Sequence, residues 1–130
     1  MKLRFIVVDD AAFLREIIKN IISSAQGHCV GEAANGQEAI ELTKRTLPDL
    51  VFLDMVMPDV NGIEAAKIIK EVHPQVKIIG CSTVDHDALI QKAFEAGFDG
   101  YVIKPFTQEE IIESIAKVFP HFKESEHGRT

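Results

Sequence analysis

The sequence predicts an α/β fold in which a doubly wound, parallel five-stranded sheet carries five helices on its two faces. Two observations favour it. Five short apolar runs alternate with five segments of helical periodicity along the 130 residues, and strict alternation of this kind is typical of parallel sheets. Three of the runs are nearly continuous in Val, Ile, Leu and Phe, which is the pattern of strands that are buried on both faces.

The five apolar runs give the strands in chain order. They are RFIVVD (4–9), HCVGEAA (28–34), DLVFLD (49–54), VKIIGCS (76–82) and GYVIK (100–104). Each has the length of an ordinary strand and is bounded by polar, Gly or Pro residues.

The segments between the runs have helical period. In residues 11–26 one face carries Leu14, Ile17, Ile18, Ile21, Ile22 and Ala25. The next three helices are predicted in NGQEAIELTKRTL, NGIEAAKIIKEV and DHDALIQKAFEAG, and the fifth begins at TQEE, where Thr107 and Glu110 have capping-box spacing. Residues that stop helices follow these segments, namely Gly27, Pro48, Pro74 and Gly97.

Length and composition indicate one globular domain. We expect it to span residues 1–119, and the polar, non-periodic residues 120–130 to form a disordered tail. A net charge of −6 argues against direct nucleic-acid binding and against a membrane-surface protein. No signal peptide or membrane-inserting segment is visible, and Cys29 and Cys81 form no CxxC motif, which is typical of a protein from a reducing compartment. The predicted location is therefore cytoplasmic.

Polar residues end four of the five strands, at the edge where a parallel sheet places its site. They are Asp9, Asp10, Asp54, Ser82 with Thr83, and Lys104. Clustered carboxylates repel one another and raise each other's pKa unless a cation lies between them. Oxygen ligands without Cys or His suit Mg²⁺, and a hydroxyl with an ammonium group suits a phosphoryl group. The pattern predicts a magnesium-dependent phosphoryl site. Asp9 and Asp10 could alternatively serve only to cap the following helix.

Four motifs in order carry a family resemblance: VVDD (7–10), FLDMVMPDVNG (52–62), CST (81–83) and YVIKPF (101–106). Over residues 3–119 the chain resembles the receiver domain of bacterial two-component response regulators, with a lean towards single-domain regulators of the chemotaxis type. The resemblance implies a flavodoxin-like sheet with strand order 2-1-3-4-5.

The same resemblance implies a role for each site residue. Asp54 would be the phosphoacceptor for a sensor histidine kinase or a phosphotransfer protein. Mg²⁺ would be held by Asp54, by Asp10 directly, by Asp9 through water and by the backbone carbonyl of Val56. Lys104 would pair with Asp54 at rest and with the phosphoryl group afterwards, and the peptide bond to Pro105 would be cis.

The resemblance also implies a switch and two partner surfaces. Ser82 would bind the phosphoryl group, with Thr83 as the alternative hydroxyl, and the ring of Tyr101 would follow it. Phe13 lies off the apolar face of its helix, beside the acidic pair, and could either pack as a semi-buried side chain or contact the kinase. A downstream protein would bind helix 4, strand 5 and helix 5, where we place Ile90, Phe94 and Tyr101 on the partner surface. The protein would be a monomer or a phosphorylation-dependent dimer.

Other functions on the same fold fit less well. A flavin-binding module needs a phosphate loop rich in Ser, Thr or Gly, whereas the first strand is followed by DDAAF. Phosphoaspartyl hydrolases place a second Asp where this chain has Val56, and a pseudo-receiver would have lost an acidic residue or the lysine. We therefore expect a stand-alone signalling domain that catalyses only its own phosphorylation and dephosphorylation. The alternative is the receiver half of a longer regulator, truncated before its output domain.

Overall fold

The sheet has the strand order β2-β1-β3-β4-β5 and all its strand pairs are parallel. The structure is a computed structural model that describes residues 2–57, 59–83 and 87–120. The strands are β1 (Leu3–Val8), β2 (Gly27–Ala33), β3 (Leu50–Asp54), β4 (Lys77–Ser82) and β5 (Gly100–Ile103). The predicted fold class and strand order are confirmed, and every strand boundary lies within one residue of its predicted position.

In the part of the chain that the structure describes, five helices cover the two faces of the sheet. They are α1 (Ala12–Ser24), α2 (Gly36–Thr46), α3 (Gly62–Val72), α4 (Asp87–Glu95) and α5 (Gln108–Val118). One core cluster joins the sheet to α2, α3 and α4, and the other joins it to α1 and α5. Neighbouring residues of the central strands serve opposite clusters: Phe52 packs towards α1 and α5, and Leu53 towards α2 and α3. Burying one such side chain stabilises the fold by about 1.5–3 kcal/mol.

Helix α1 corrects one prediction. Ile18 and Ile22 are buried, whereas Ile17 is 43% exposed, although all three lie on the apolar face that the sequence predicted. The apolar residues of α1 cover more of its circumference than its contact with the sheet and α5 can bury. The helix also ends earlier than predicted, since Gln26 has a φ of 78° and β2 begins at the next residue.

The edge strand β2 contains a bulge opposite β1. Phe5 pairs with Cys29 and Ile6 pairs with Gly31, so Val30 is the extra residue. A Cβ at Gly31 would lie 2.8 Å from two side-chain carbons of Leu42 on α2. The missing side chain therefore lets α2 approach the bulged strand, and the bulge itself discourages further strand pairing at this edge.

The first turn of α2 is bound to the loop between β3 and α3. The carboxylate of Asp59 accepts hydrogen bonds from the backbone N–H groups of Gly36 and Gln37, both at 2.9 Å. The amide of Gln37, followed by that of Gly36, holds the pKa of Asp59 below its usual range. Asn35 caps the helix as well, by accepting from the N–H of Glu38. The N–H groups of the first turn, which have no acceptor within the helix, are thus bonded by the side chains of Asp59 and Asn35.

The last turn of α2 is closed by β1. The guanidinium of Arg4 donates to the carbonyl oxygens of Thr46 and Leu47, at 2.7 and 2.9 Å. Leu47 adopts the left-handed conformation, with a φ of 46°. This conformation ends the helix but strains any residue with a Cβ. The fifth helix begins with the predicted capping box of Thr107 and Glu110.

Candidate functional site

Three carboxylates meet where β1 and β3 end. Asp9, Asp10 and Asp54 can each place one oxygen so that all three oxygens lie within 4.8 Å of one another. Asp9 and Asp54 are buried, at 2% and 5% exposure, while Asp10 is exposed. The strand ends therefore bring together the acidic residues that the sequence placed there.

Asp9 makes hydrogen bonds through both carboxylate oxygens and through its backbone N–H and carbonyl. Its Oδ1 accepts from the N–H of Ala11 at 2.9 Å, and its Oδ2 accepts from Lys104 Nζ at 3.2 Å. Its N–H donates to the carbonyl of Ala33, and its carbonyl accepts from the guanidinium of Arg15. The bond to Ala11 closes a turn just before α1, whose own first turn receives no side-chain cap hydrogen bond, so Asp9 does not cap this helix.

Lys104 lies between two carboxylates. Its Nζ is 3.2 Å from Asp9 Oδ2 and 3.7 Å from Asp54 Oδ1. Burial disfavours the ammonium, but the attraction of Asp54 and Asp9 together outweighs it and raises the pKa of Lys104. The resemblance implied that Lys104 pairs with Asp54; this ion pair is present, and the hydrogen bond of the ammonium goes to Asp9. The peptide bond between Lys104 and Pro105 is cis, as the resemblance implied.

Asp54 is the last residue of β3 and is more basic than an ordinary carboxylate. Burial raises its pKa most, the N–H of Val56 opposes this by donating to Oδ1 at 3.2 Å, and repulsion from Asp9 raises the pKa further. Lys104 lowers the pKa and Asp10 raises it, both by smaller amounts. The carboxylate therefore gains from any added cation that enters the cluster.

The two candidate hydroxyls differ in burial. Ser82 ends β4 and is 2% exposed, whereas Thr83 is exposed. Ser82 also lines a cavity of about 380 Å³ together with Met55 and Val56. Ser82 and Tyr101 lie on one face of the sheet, because Tyr101 pairs with Gly80, two residues before Ser82.

The predicted partner residues separate into two groups. Ile90, Phe94 and Tyr101 line one groove of about 460 Å³ between α4, β5 and α5. Phe13 is 68% exposed on α1, and α1 covers the face of the sheet opposite to α4. The structure thus brings the three output candidates together and leaves Phe13 apart from them.

Two side chains near the acidic cluster were not singled out from the sequence. Arg15 contacts the backbone of Asp9, and Glu32 at the end of β2 contacts Arg15. Glu32 lies 17 residues from Arg15 in the chain. Only the parallel pairing of β1 with β2 brings them together, and residue spacing alone carries no signal for that contact.

The comparisons with known proteins agree on one family. The family model for the response regulator receiver domain matches residues 5–116. The chemotaxis protein CheY of Thermotoga maritima is 43% identical over 88% of this chain and 96% of its own length. The CheY of Bacillus subtilis is 40% identical over 88% of this chain and 95% of its own.

The solved structures give the same fold. CheY in the CheX-CheY-BeF3-Mg complex of Borrelia burgdorferi superposes with a TM-score of 0.87 and 25% identity, covering 90% of this chain and 89% of that one.

Among the helices of the described residues, none has both the length and the apolar character that a membrane-spanning segment needs.

Proposed function

This chain belongs to the response regulator receiver domain family and is a receiver of the CheY type, and on that premise we propose that Asp54 accepts a phosphoryl group from a sensor histidine kinase or a phosphotransfer protein. Receivers of this type are signalling domains of two-component chemotaxis systems. The observation that carries the proposal is the position of Asp54, which shares one cluster with two other carboxylates and lies 3.7 Å from an ammonium group.

The donor set suits a magnesium ion. All three acidic residues offer oxygen ligands, and the carbonyl of Val56 would add a fourth. Asp9 is already bonded through both carboxylate oxygens, to Ala11 and Lys104, whereas Asp10 is exposed. This supports Asp10 as a direct ligand and Asp9 as one that acts through water. A bound ion would supply positive charge to the phosphoryl oxygens.

Phosphoryl transfer needs a nucleophile and a place for the developing charge. An oxygen of Asp54 would bond to phosphorus while the bond from phosphorus to the donor's imidazole nitrogen breaks, which leaves an acyl phosphate on the protein. The raised basicity of Asp54 favours its attack. Lys104 would pair with a phosphoryl oxygen, and the hydroxyl of Ser82 would donate to another.

We assign the groove lined by Ile90, Phe94 and Tyr101 to the downstream protein, and Phe13 to the kinase. Phosphorylation would change the groove through Ser82 and Tyr101, which share one face of the sheet. The Borrelia burgdorferi CheY was solved with CheX, BeF3 and Mg, which supports a magnesium site and regulation through protein partners. A receiver half cut from a longer regulator remains the second candidate, and both would work in the cytoplasm.

Acetyl phosphate tests the acceptor directly. We expect intact mass spectrometry to show one phosphoryl adduct on the wild-type protein in Mg²⁺, and none on Asp54→Asn. Asp87→Asn makes the same chemical change at an exposed residue of α4 and should keep the adduct. An adduct that persists on Asp54→Asn would move the phosphoacceptor to another residue.

A further inference from the structure

Arg15 joins the acidic cluster to the edge of the sheet. It lies on α1, and its Nη1 donates to the backbone carbonyl of Asp9 at 2.7 Å. Its Nε donates to Oε1 of Glu32 on β2 at 3.1 Å. The side chain is only 18% exposed. Within the cluster, Arg15 therefore bonds to the backbone of Asp9 and not to a carboxylate.

Glu32 fixes the guanidinium in this position. Besides Arg15, its carboxylate binds Lys19 Nζ at 3.0 Å, and Lys19 is a second cation of α1. A planar guanidinium that donates from two nitrogens to two fixed acceptors has few alternative orientations. The ion pair with Glu32 therefore restrains the direction from which Arg15 approaches Asp9.

The carbonyl of Asp9 belongs to the peptide group that leads into Asp10. Because the peptide is planar, its orientation fixes where the Cα of Asp10 lies and so limits the directions in which the Asp10 side chain can leave the backbone. Asp9 is also held at its carboxylate and its N–H. The bond from its Oδ1 to the N–H of Ala11 spans the same peptide and restrains it, whereas the bond from Arg15 acts directly on the carbonyl oxygen.

We propose that Arg15, held by Glu32, is a positioning residue that sets the Asp9–Asp10 peptide so that the carboxylate of Asp10 is preset for a divalent cation. The inference rests on the proposed function, since it concerns the same site. It runs against simple electrostatics: a guanidinium beside the cluster repels a dication, so loss of its charge alone would tighten magnesium binding. The sign of the change in affinity separates the two effects.

The test measures Mg²⁺ dissociation constants by calorimetry, without a phosphodonor. We expect Arg15→Met to weaken binding about tenfold, at the lower end of the effect of groups that orient metal ligands. Glu32→Gln should weaken it less, and the double variant should be no weaker than Arg15→Met, because the two residues act through one contact. Lys19→Met removes another cation bound to Glu32 without touching Asp9, and should leave the constant unchanged.

A second readout needs no metal. In the metal-free protein, the carbonyl carbon of Asp9 and the amide of Asp10 should shift in the NMR spectrum of Arg15→Met, and Arg15→Lys should restore part of both the shift and the affinity. Equal or tighter Mg²⁺ binding by Arg15→Met would overturn the inference. If the melting temperature of this variant fell while its Mg²⁺ affinity stayed the same, Arg15 would only stabilise the contact between α1 and β1, and the inference would also be overturned.

If Arg15→Met does not fold, Glu32→Gln and Arg15→Lys serve as the test. Unchanged Mg²⁺ affinity in both of these variants would then overturn the inference. Wild-type protein that binds no Mg²⁺ would overturn the proposed function and this inference together. Wild-type protein that binds Mg²⁺ and accepts phosphate, with variants of equal affinity, would overturn only the role of Arg15.

Discussion

The ammonium of Lys104 donates a hydrogen bond of 3.2 Å to the carboxylate of Asp9, although 95 residues separate them in the chain. Asp9 is also the most buried of the three clustered carboxylates. The three acidic residues are therefore not equivalent: Asp9 accepts the hydrogen bond of the ammonium, Asp54 is buried and lies 3.7 Å from it, and Asp10 is exposed. Without a metal, Asp54 and Asp10 add repulsion that no hydrogen bond from Lys104 offsets. This difference leads to the first prediction.

Asp54→Asn and Asp10→Asn should each stabilise the metal-free protein, by about 1 kcal/mol for one screened repulsion at close range. Asp9→Asn should destabilise it, because the ion pair with Lys104 is lost. The measurement is urea denaturation in EDTA. Added Mg²⁺ should stabilise the wild type more than either stabilised variant. A loss of stability in all three variants would show that repulsion does not dominate this cluster.

The raised pKa of Asp54 predicts how metal-free stability depends on pH. The folded protein holds the proton of Asp54 more tightly than the unfolded chain does, so ionisation costs folding free energy. The wild type should therefore lose stability relative to Asp54→Asn as pH rises from the ordinary carboxyl pKa of about 3.9 through the raised value in the folded state. Above that value the difference should stay constant. Melting temperatures of both proteins across this range check it, and a difference that does not vary with pH would contradict the shift.

Leu47 offers a test of backbone strain at the end of α2. Leu47 is 52% exposed, so truncating its side chain removes few packing contacts. Its φ of 46° lies in the region that favours glycine. We expect Leu47→Gly to be more stable than Leu47→Ala by about 1 kcal/mol. The alanine variant is the matched control, since it removes the same side chain and keeps the strain. Equal melting temperatures for the two variants would mean that Arg4 alone determines the end of the helix.

Tyr101 should report activation by its own fluorescence. The chain has one tyrosine and no tryptophan, so tyrosine emission has a single source. The ring is half-buried and packs against the core cluster beneath α4. Saturating beryllofluoride with Mg²⁺ should change its emission if the ring follows Ser82. Ser82→Ala should lose the response, and Thr83→Ala should keep it. Unchanged emission and unchanged ring NMR shifts in the wild type would remove Tyr101 from the switch.

The acyl phosphate should be long-lived because Val56, two residues after Asp54, has no polar group that could position the attacking water. Val56 and Val84 follow Asp54 and Ser82 by two residues, so the sequence predicts that these β-branched residues also shield the path of the water. Val56, however, is 66% exposed, which leaves its missing polar group as the cause on this side. Val56→Asn should hasten loss of phosphate by up to about tenfold, or ~1.4 kcal/mol of barrier. Phosphate-affinity gels after removal of the donor measure this. Val84, the other valine considered for this role, lies outside the described residues. Decay no faster than wild type would contradict the prediction.

The sequence predicted the fold well because its signals are local. Continuous apolar runs, Thr107 with Glu110, and Gly or Pro at helix ends each specify their element without reference to the rest of the chain. Once a parallel sheet is predicted, the residues at its strand ends are predicted to cluster as well, because all strands end at one carboxyl edge. Asp9, Asp54 and Lys104 are all found at that edge.

What the sequence missed depends on tertiary contacts. The preference of Lys104 for Asp9 depends on distances of 3.2 and 3.7 Å, which no residue pattern encodes. Exposure of Ile17 depends on how much of α1 its neighbours cover. The contact of Arg15 with Glu32 exists only because β2 pairs with β1.

The bonds from Asp59 to the start of α2 also determine which pieces of this protein are interchangeable. A loop transplanted between β3 and α3 from another receiver would leave the amides of Gly36 and Gln37 without their carboxylate unless it carried an acidic residue at the same place. Gly36 limits the exchange from the other side, because a Cβ there would lie 2.9 Å from Val60. For protein engineering, the loop and the first turn of α2 are thus one cassette, encoded in two separate stretches of the gene and to be exchanged together.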